Sequence, residues 1–380
     1  MKLIYITNTR LPSEKANSIQ SIEMCKSFSN FFGTVELWTT NAQNKPLDYK
    51  KISVFYNIRK PFLIKQIKNF DSTLLCEINQ TLWAQIKNIS FAINACLKLL
   101  ELRHEKSIVI FSRVWLVNYL YVFLKKLNLI KHEIFYELHQ SSRFQIYMTR
   151  NSDGIVVINK YLFNQVKNSN IKNVLIAHDG VNPLTFAVSN EYVHIEKTIY
   201  EVLYTGSFSE HKGVKFLVNA IAETPSNIYF KLIGGKGRQF EDLKAYVKNF
   251  SYSNRIKIIE HLSQDKLIEH INSADILILP NLDVAQNLST SPLKLFEYMY
   301  SRKPILAANI SSIREIVTEK EVLFFEAGNH QDLARKLSLI IDKDCTDLIK
   351  NSYEKVIEYT WDKRAKKIDS FFKKNIENDL

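Results

Sequence analysis

"DILILPNLDVAQNLSTSPLKLFEYMYSRKPILAAN", residues 275–309, decides the fold. Ile276–Leu279 is an uninterrupted apolar run, too short for a buried helix and suited to a strand covered on both faces. A polar loop follows and ends at Ser291-Pro292, a favoured pair for an N-cap and a first helical position. The helix predicted from Pro292 holds one acid, Glu297, among apolar neighbours. A second short apolar run begins at Pro304. Strand, helix and strand joined by short connections make a βαβ unit, and βαβ units build parallel sheets.

The same rhythm extends both ways. In the second half it predicts strands at Val202–Gly206, Ile228–Ile233, Ile256–Glu260, Pro304–Ala307 and Val322–Phe325, with helices starting near Gly213, Gln239, Asp265, Pro292, Ser312 and His330. In the first half it predicts strands at Leu3–Thr7, Val35–Thr40, Ser53–Ile58, Ile108–Ser112, Ile134–His139, Gly154–Ile158 and Val174–Ala177. Helices are expected over Ser18–Ser29 and Ser72–Leu102. The fold class is therefore α/β, with two doubly wound, Rossmann-like parallel-sheet domains facing across a cleft. The first spans residues 1–182 and the second 183–358. The junction is expected in "HDGVNPLTFAVSN", residues 178–190, where Gly, Pro and Asn gather.

Composition agrees with two cores. A chain of 380 residues exceeds one ordinary domain, and 46% hydrophobic and 12% aromatic content exclude bulk disorder. No signal peptide and no apolar run of the roughly 18 residues a spanning helix needs is visible, and Cys25, Cys76, Cys96 and Cys345 are scattered without metal spacing. The expectation is a cytoplasmic protein with reduced thiols. Charge is uneven: residues 1–185 carry 24 basic and 12 acidic side chains, the remainder 27 of each. An anionic partner for the first half follows, with a membrane surface or an acidic acceptor both open. Nucleic acid is disfavoured, because no recognition motif accompanies the basic residues. "KKISVFYNIRKPFLIKQIKNF", residues 50–70, mixes cations with apolar and aromatic residues as an interfacial surface would; a solvated face reads the same way.

Five stretches carry candidate chemistry. At Ser291, Pro292 and Leu293, free N–H groups and the positive end of a helix dipole favour an anion such as a phosphate. Glu297 lies about 9 Å further along the axis, where a carboxylate suits a ribose diol rather than a phosphate. An ordinary helix with Glu297 paired to a nearby lysine fits the same residues. "YTGSFSEHKGVKFLVNAI", residues 204–221, sets Gly206 and Ser207 after a strand and Lys212 at the mouth of a helix, a fixed positive charge for a diphosphate. "LIGGKGRQFEDL", residues 232–243, holds Gly234 in a turn that permits close backbone approach, without the spacing of a dinucleotide motif. "IFYELHQSSR", residues 134–143, ends a strand at His139 with Arg143 four residues on. "ITNTRLPSEKANSIQSIEM", residues 6–24, joins the first strand to a helix capped by Asn17 or Ser18, with the small side chains of Ala16 and Ser18 leaving room for a ligand.

Together these motifs resemble the family 4 glycosyltransferases of the GT-B fold, most strongly through "SPLKLFEYMYSRKPILAAN", "YTGSFSEHKG", "LIGG" and "ADILILPN", and at the N-terminus through "LPSEKANSIQ". The resemblance implies that Glu297 holds the ribose of a nucleotide-diphosphate sugar, and that Lys212 and the backbone at Ser291–Leu293 hold the diphosphate. It implies that Leu262 stands where the base is read, that His139 lies beside the transferred sugar, and that the Ala16–Ser18 turn covers phosphates and acceptor. It further implies transfer with retained anomeric configuration, no cofactor and no required metal, a glycan or lipid-linked acceptor in bacterial surface-glycan assembly, and contact with the inner membrane face. The C-terminal helix, residues 359–380, is expected to cross back to the first domain. Two departures stand out. Ser289 replaces the first of two glutamates often separated by seven residues, and Ser207 replaces a basic residue. An epimerase of the same fold and a non-catalytic nucleotide-sugar-binding subunit remain the alternatives.

Overall fold

A computed structural model describes residues 1–13, 15–40, 46–169, 171–185 and 197–377. The end of the expected junction, residues 186–190, lies outside them. The chain divides into two compact units, Met1–His178 with Trp361–Leu380, and Asp179–Thr360.

In the first unit seven parallel strands lie in the order β3-β2-β1-β4-β5-β6-β7 among the described residues. They are β1 (Lys2–Ile6), β2 (Thr34–Thr40), β3 (Leu63–Ile67), β4 (Ile108–Ser112), β5 (Glu133–Leu138), β6 (Gly154–Val157) and β7 (Val174–Ile176). β1, β4 and β6 are apolar on both faces, and helices cover both, so their side chains are almost wholly buried. The helix Trp361–Glu377 packs on the helix Ala16–Phe28, and Phe372 meets Phe111 of β4 and Phe135 of β5 at ring separations of 5.3 and 4.3 Å. Thus the end of the chain belongs to the first core.

The second unit has six parallel strands in the order β10-β9-β8-β11-β12-β13 among the described residues. These are β8 (Tyr200–Thr205), β9 (Ile228–Ile233), β10 (Ile256–Ile259), β11 (Ile276–Leu279), β12 (Ile305–Ala308) and β13 (Leu323–Phe325). Its single core cluster joins the sheet to the helices on its faces, including Leu295, Phe296 and Met299 of the helix Leu293–Tyr300.

Two expectations fail in the first unit. Ser53–Ile58 is not a strand. Asp48 accepts a hydrogen bond from Lys51 N–H at 3.0 Å and starts a helix, Tyr49–Phe55, which buries Ile52 and leaves Val54 and Phe55 exposed. The cap outweighs an alternating pattern that only resembled a half-buried strand. The true strand here is β3, an edge whose Lys65 pairs with Glu36 of β2 at 2.9 Å. A lysine on an edge strand hides the strand pattern while protecting the edge. The long helix expected over Ser72–Leu102 is also divided: the Asn79 side chain accepts from Leu82 N–H and caps a new helix, Gln80–Glu101, after a shorter one at Thr73–Ile78.

Candidate functional site

Strand order locates the site in the second unit. From β8 the chain runs outward through β9 and β10, then returns to β11 and runs the other way. The loops after β8 and β11 therefore part at the switch point, the usual ligand crevice of an open parallel sheet. Lys212 lies in the first loop; Ser289, Ser291, Pro292 and Leu293 lie in or end the second.

These two loops are held together by direct contacts. Leu282 N–H donates to His211 O at 3.2 Å, and the buried Asn287 amide donates to His211 O at 2.8 Å and to Leu282 O at 2.7 Å. Gly213 has φ +72°, and a Cβ there would stand 1.8 Å from Pro280 O, so only glycine admits this approach. At the neighbouring strand ends Gly234, with φ +146°, presses on Gly206: a Cβ would lie 1.7 Å from Gly206 O. At both places the backbone segments are packed too closely for any side chain. Tyr298 fixes the helix Leu293–Tyr300 to the same place, its hydroxyl accepting from Thr205 N–H at 2.8 Å, one residue before Gly206.

Lys212 is partly buried, and desolvation lowers its pKa from the ordinary lysine value. No carboxylate pairs with it among the described residues. Beside it His211 is also lowered, by burial first and then by the lysine charge. A cation held partly out of water without a counter-ion is costly, and an anion bound there would remove the cost. Ser207 and Ser209 face each other in the same loop, with their hydroxyl oxygens 3.0 Å apart.

The start of the helix differs from the expectation. Ser291 is not its N-cap: Pro292 occupies that position, with no side-chain capping bond, and the helix begins at Leu293. Leu293 N–H is taken up by Ser291 O at 2.9 Å. Ser291 Oγ is instead buried and makes no hydrogen bond. Glu297 pairs with Lys294, Oε2 to Nζ, at 2.6 Å. This is the pairing with a nearby lysine that the sequence left open: Lys294, three residues before the acid on the helix, shares its face. Leu262 packs its side chain on the core, while the adjoining His261 N–H donates to Gly235 O at 3.2 Å and ties that loop to the glycine turn. Ser289 ends the short helix Ala285–Leu288. Arg238 has a side chain 94% exposed and lies 3.6 Å from the Asp242 carboxylate.

The first unit has its own switch point, between β1 and β4. Neither Asn17 nor Ser18 caps the helix there. Lys15 holds the cap position, the helix begins at Ala16, and the buried Ser18 donates to Arg10 O at 3.3 Å. Ala16 and Asn17 are exposed. Arg113, directly after β4, donates to Asn17 O at 3.2 Å and to Ser21 Oγ at 3.1 Å, fastening the turn. His139, one residue past β5, has Nε2 at 3.3 Å from Glu137 Oε1. Glu137 is fully buried and also meets Arg364 of the final helix at 2.6 Å and accepts from the Tyr5 hydroxyl at 2.6 Å. Burial pushes the Glu137 carboxyl up, but Arg364, His139 and Arg113 outweigh it and hold the group well below the usual carboxylate range. Arg143, first in the helix Arg143–Thr149, is exposed and not part of this cluster. Sequence reasoning missed Glu137, Arg113 and Arg364; an acid inside the apolar run "IFYEL" was the available signal.

Among the described residues no three His, Cys, Asp or Glu side chains group as metal ligands.

Comparison with known proteins agrees with this reading of the second unit. Residues 191–363 match the family model described as Glycosyl transferases group 1. An uncharacterised glycosyltransferase of Methanocaldococcus jannaschii is 28% identical over 221 residues, covering 57% of this chain and 58% of that protein. The match thus spans under two thirds of that relative's length. Among solved structures, Anabaena HepE in complex with UDP and glucose superposes with TM-score 0.71 at 12% identity, over 98% of this chain and all of that one. The lipopolysaccharide outer core galactosyltransferase WaaB, solved without ligand, gives TM-score 0.71 at 16% identity over the whole of both chains. The two-sheet α/β architecture is that of GT-B glycosyltransferase structures, and the comparisons support a transferase.

Proposed function

We propose that this chain is a glycosyltransferase that moves a sugar from a nucleotide diphosphate to an acceptor hydroxyl with retained configuration, in the assembly of a surface glycan. One observation carries the reading: Lys212, a partly desolvated cation without a carboxylate partner among the described residues, sits where the strand order of the second sheet reverses. A diphosphate supplies the missing anion. Lys294 offers a second positive charge beside the helix start, and the buried, unpartnered Ser291 hydroxyl offers a donor.

In this reading Glu297 exchanges its bond to Lys294 for the ribose hydroxyls, freeing Lys294 for a phosphate. Gly206 and Gly234 let the donor approach the backbone, with Ser207 and Ser289 beside it and the backbone at Leu262 meeting the base. The bond from C1 to the diphosphate oxygen breaks, the acceptor oxygen bonds to C1, and its proton leaves with the departing phosphate. Lys212 favours the transition state because charge grows on the leaving group as that bond breaks. His139, oriented by Glu137, contacts the sugar; Ala16, Asn17, Ser18 and Arg143 meet the acceptor. The UDP complex of HepE supports a uridine nucleotide as the first donor base to test, and the WaaB likeness supports a glycan or lipid-linked acceptor.

Ser289, where a glutamate is usual, favours a second reading, a nucleotide-sugar-binding protein without transfer. Release of glucose or transfer of it from UDP-glucose separates the two. Turnover that falls by about two to three orders of magnitude in Lys212→Ala supports the enzyme. Tight binding without turnover, across a panel of nucleotide sugars, supports the binder.

A further inference from the structure

The final helix, Trp361–Glu377, buries an apolar face that one charge interrupts. Trp361, Ala365, Ile368 and Phe372 recur at helical spacing and lie in the core of the first unit. Arg364 is buried with them, only 4% exposed. Apolar packing alone would seat the helix, since a well-packed hydrophobic residue usually stabilises a core at least as well as a buried ion pair does. The guanidinium therefore calls for a reason other than docking.

Its bonds supply one. Arg364 Nε donates to the carbonyl of Ala177, just past β7, at 3.2 Å, and Nη2 donates to Oε1 of Glu137 in β5 at 2.6 Å. The same carboxylate oxygen lies 3.3 Å from the buried Nε2 of His139. The other oxygen accepts from the Tyr5 hydroxyl of β1 at 2.6 Å, and Arg113 Nε, after β4, stands 3.8 Å from it. Two guanidiniums thus face this one acid with fixed charge. Burial holds the nearby Tyr5 and Tyr136 hydroxyls and the Cys25 thiol of the helix Ala16–Phe28 in their neutral forms. His139 is the member that solvent reaches: its side chain is 22% exposed, against 10% for Arg113, 2% for Arg364 and none for Glu137. A line of contacts therefore runs from a closed core to an accessible imidazole.

We propose that Arg364 is a positioning residue: acting through Glu137, it sets the direction and the charge of the His139 imidazole from the far end of the chain. A guanidinium braced on Ala177 fixes where the carboxylate oxygen stands, because its donors form a rigid fork. The group that a ring nitrogen faces in turn fixes the ring. Glu137 draws His139 toward the imidazolium, and the Arg364 charge offsets part of that pull. The consequence for turnover rests on the transferase reading, in which His139 meets the sugar; the effect on the imidazole does not.

The test uses full-length protein with histidine carrying 13C in the ring, the His139 signal being identified by its loss in His139→Gln. Arg364→Met uncovers the carboxylate and should raise the His139 pKa by at least about half a pH unit. Glu137→Gln leaves both guanidiniums facing the ring and should lower it by about as much. Glucose release from UDP-glucose should lose at least about tenfold in kcat in either variant, with KM within about twofold of wild type. Each single variant leaves a core charge unpaired; Glu137→Gln with Arg364→Met removes both charges and serves where the single variants fold poorly. Because Arg364 acts through Glu137, the double variant should keep a lowered His139 pKa and match Glu137→Gln in kcat within about twofold. A folded Arg364→Met protein whose His139 pKa stays within about 0.2 pH unit of wild type overturns the proposal, as do shifts of the same sign in the two single variants. So does a wild-type kcat, within about twofold, in any of these variants of an active enzyme. Wild-type protein that releases no glucose defeats the transferase reading instead, and the His139 shifts then decide this proposal alone.

Discussion

Replacing Lys212 by methionine keeps the aliphatic stem and removes the charge. In the free protein that charge is partly desolvated and has no carboxylate partner among the described residues. A phosphate oxygen about 4 Å away at an effective dielectric constant near 20 gains about 4 kcal/mol per unit charge. The site is open enough for water and salt to screen part of this, which leaves about 2–3 kcal/mol, or about 30- to 150-fold in affinity. The assay is calorimetric titration with UDP and with uridine, which shares base and ribose but lacks the phosphates. UDP should lose about 30- to 150-fold in Lys212→Met, while uridine should hardly change. The pH dependence has a definite sign. Burial lowers the Lys212 pKa in the free protein, and a bound diphosphate favours the charged form. UDP affinity therefore falls as pH rises through the lowered pKa, and Lys212→Met lacks that slope. Without ligand the folded state disfavours the charged lysine, so the variant should be at least as stable as the wild type near pH 7. A variant that binds UDP within about twofold of wild type, a difference of about 0.4 kcal/mol, refutes the assignment of the diphosphate to this loop.

Glu137→Gln leaves the Arg364 charge in the core without its carboxylate and should cost about 3–5 kcal/mol in urea denaturation. The wild-type carboxyl is held low, so its stabilisation is complete above the ordinary carboxylate pKa and is lost as pH falls through the folded value; the variant should lack that acid-side loss. Gly234→Ala forces a methyl group against Gly206 O and a positive φ on alanine, and should cost about 2–4 kcal/mol and abolish UDP binding. Asn287→Ala removes one bond between the loops after β8 and β11, to His211 O, and one within the second loop, to Leu282 O; a loss of about 1–3 kcal/mol with weaker UDP binding is expected, and unchanged values in both would deny that the loops act together. Glu297→Gln should erase the preference for UDP over its 2′-deoxy analogue while leaving the difference between UDP and uridine in place.

Most of both sheets was legible because a strand buried on two faces writes itself as a short apolar run, and every expected strand but Ser53–Ile58 found its place. β3 was not legible, since an edge strand carrying Lys65 and Gln66 has only one face to bury. The helix start at Leu293 was displaced by one residue because Ser291 is turned inward rather than back onto the amides, an orientation set by packing and not by residue type. What local pattern could not carry is proximity. Glu137 and Arg364 are 227 positions apart, and only the return of the last helix to the first sheet brings them together. The same holds for His211 and Asn287, 76 positions apart in sequence, which meet because β8 and β11 pair and so bring the Lys212 loop beside the second loop. A lysine after a strand is weak evidence alone. It gains meaning from strand order, because reversal at β8 is what leaves two loops diverging above one gap, and strand order is a property of the assembled sheet. The chemistry assigned to Lys212 therefore stands or falls with that pairing: a chain with the same loops but β11 elsewhere would present a surface lysine and nothing more.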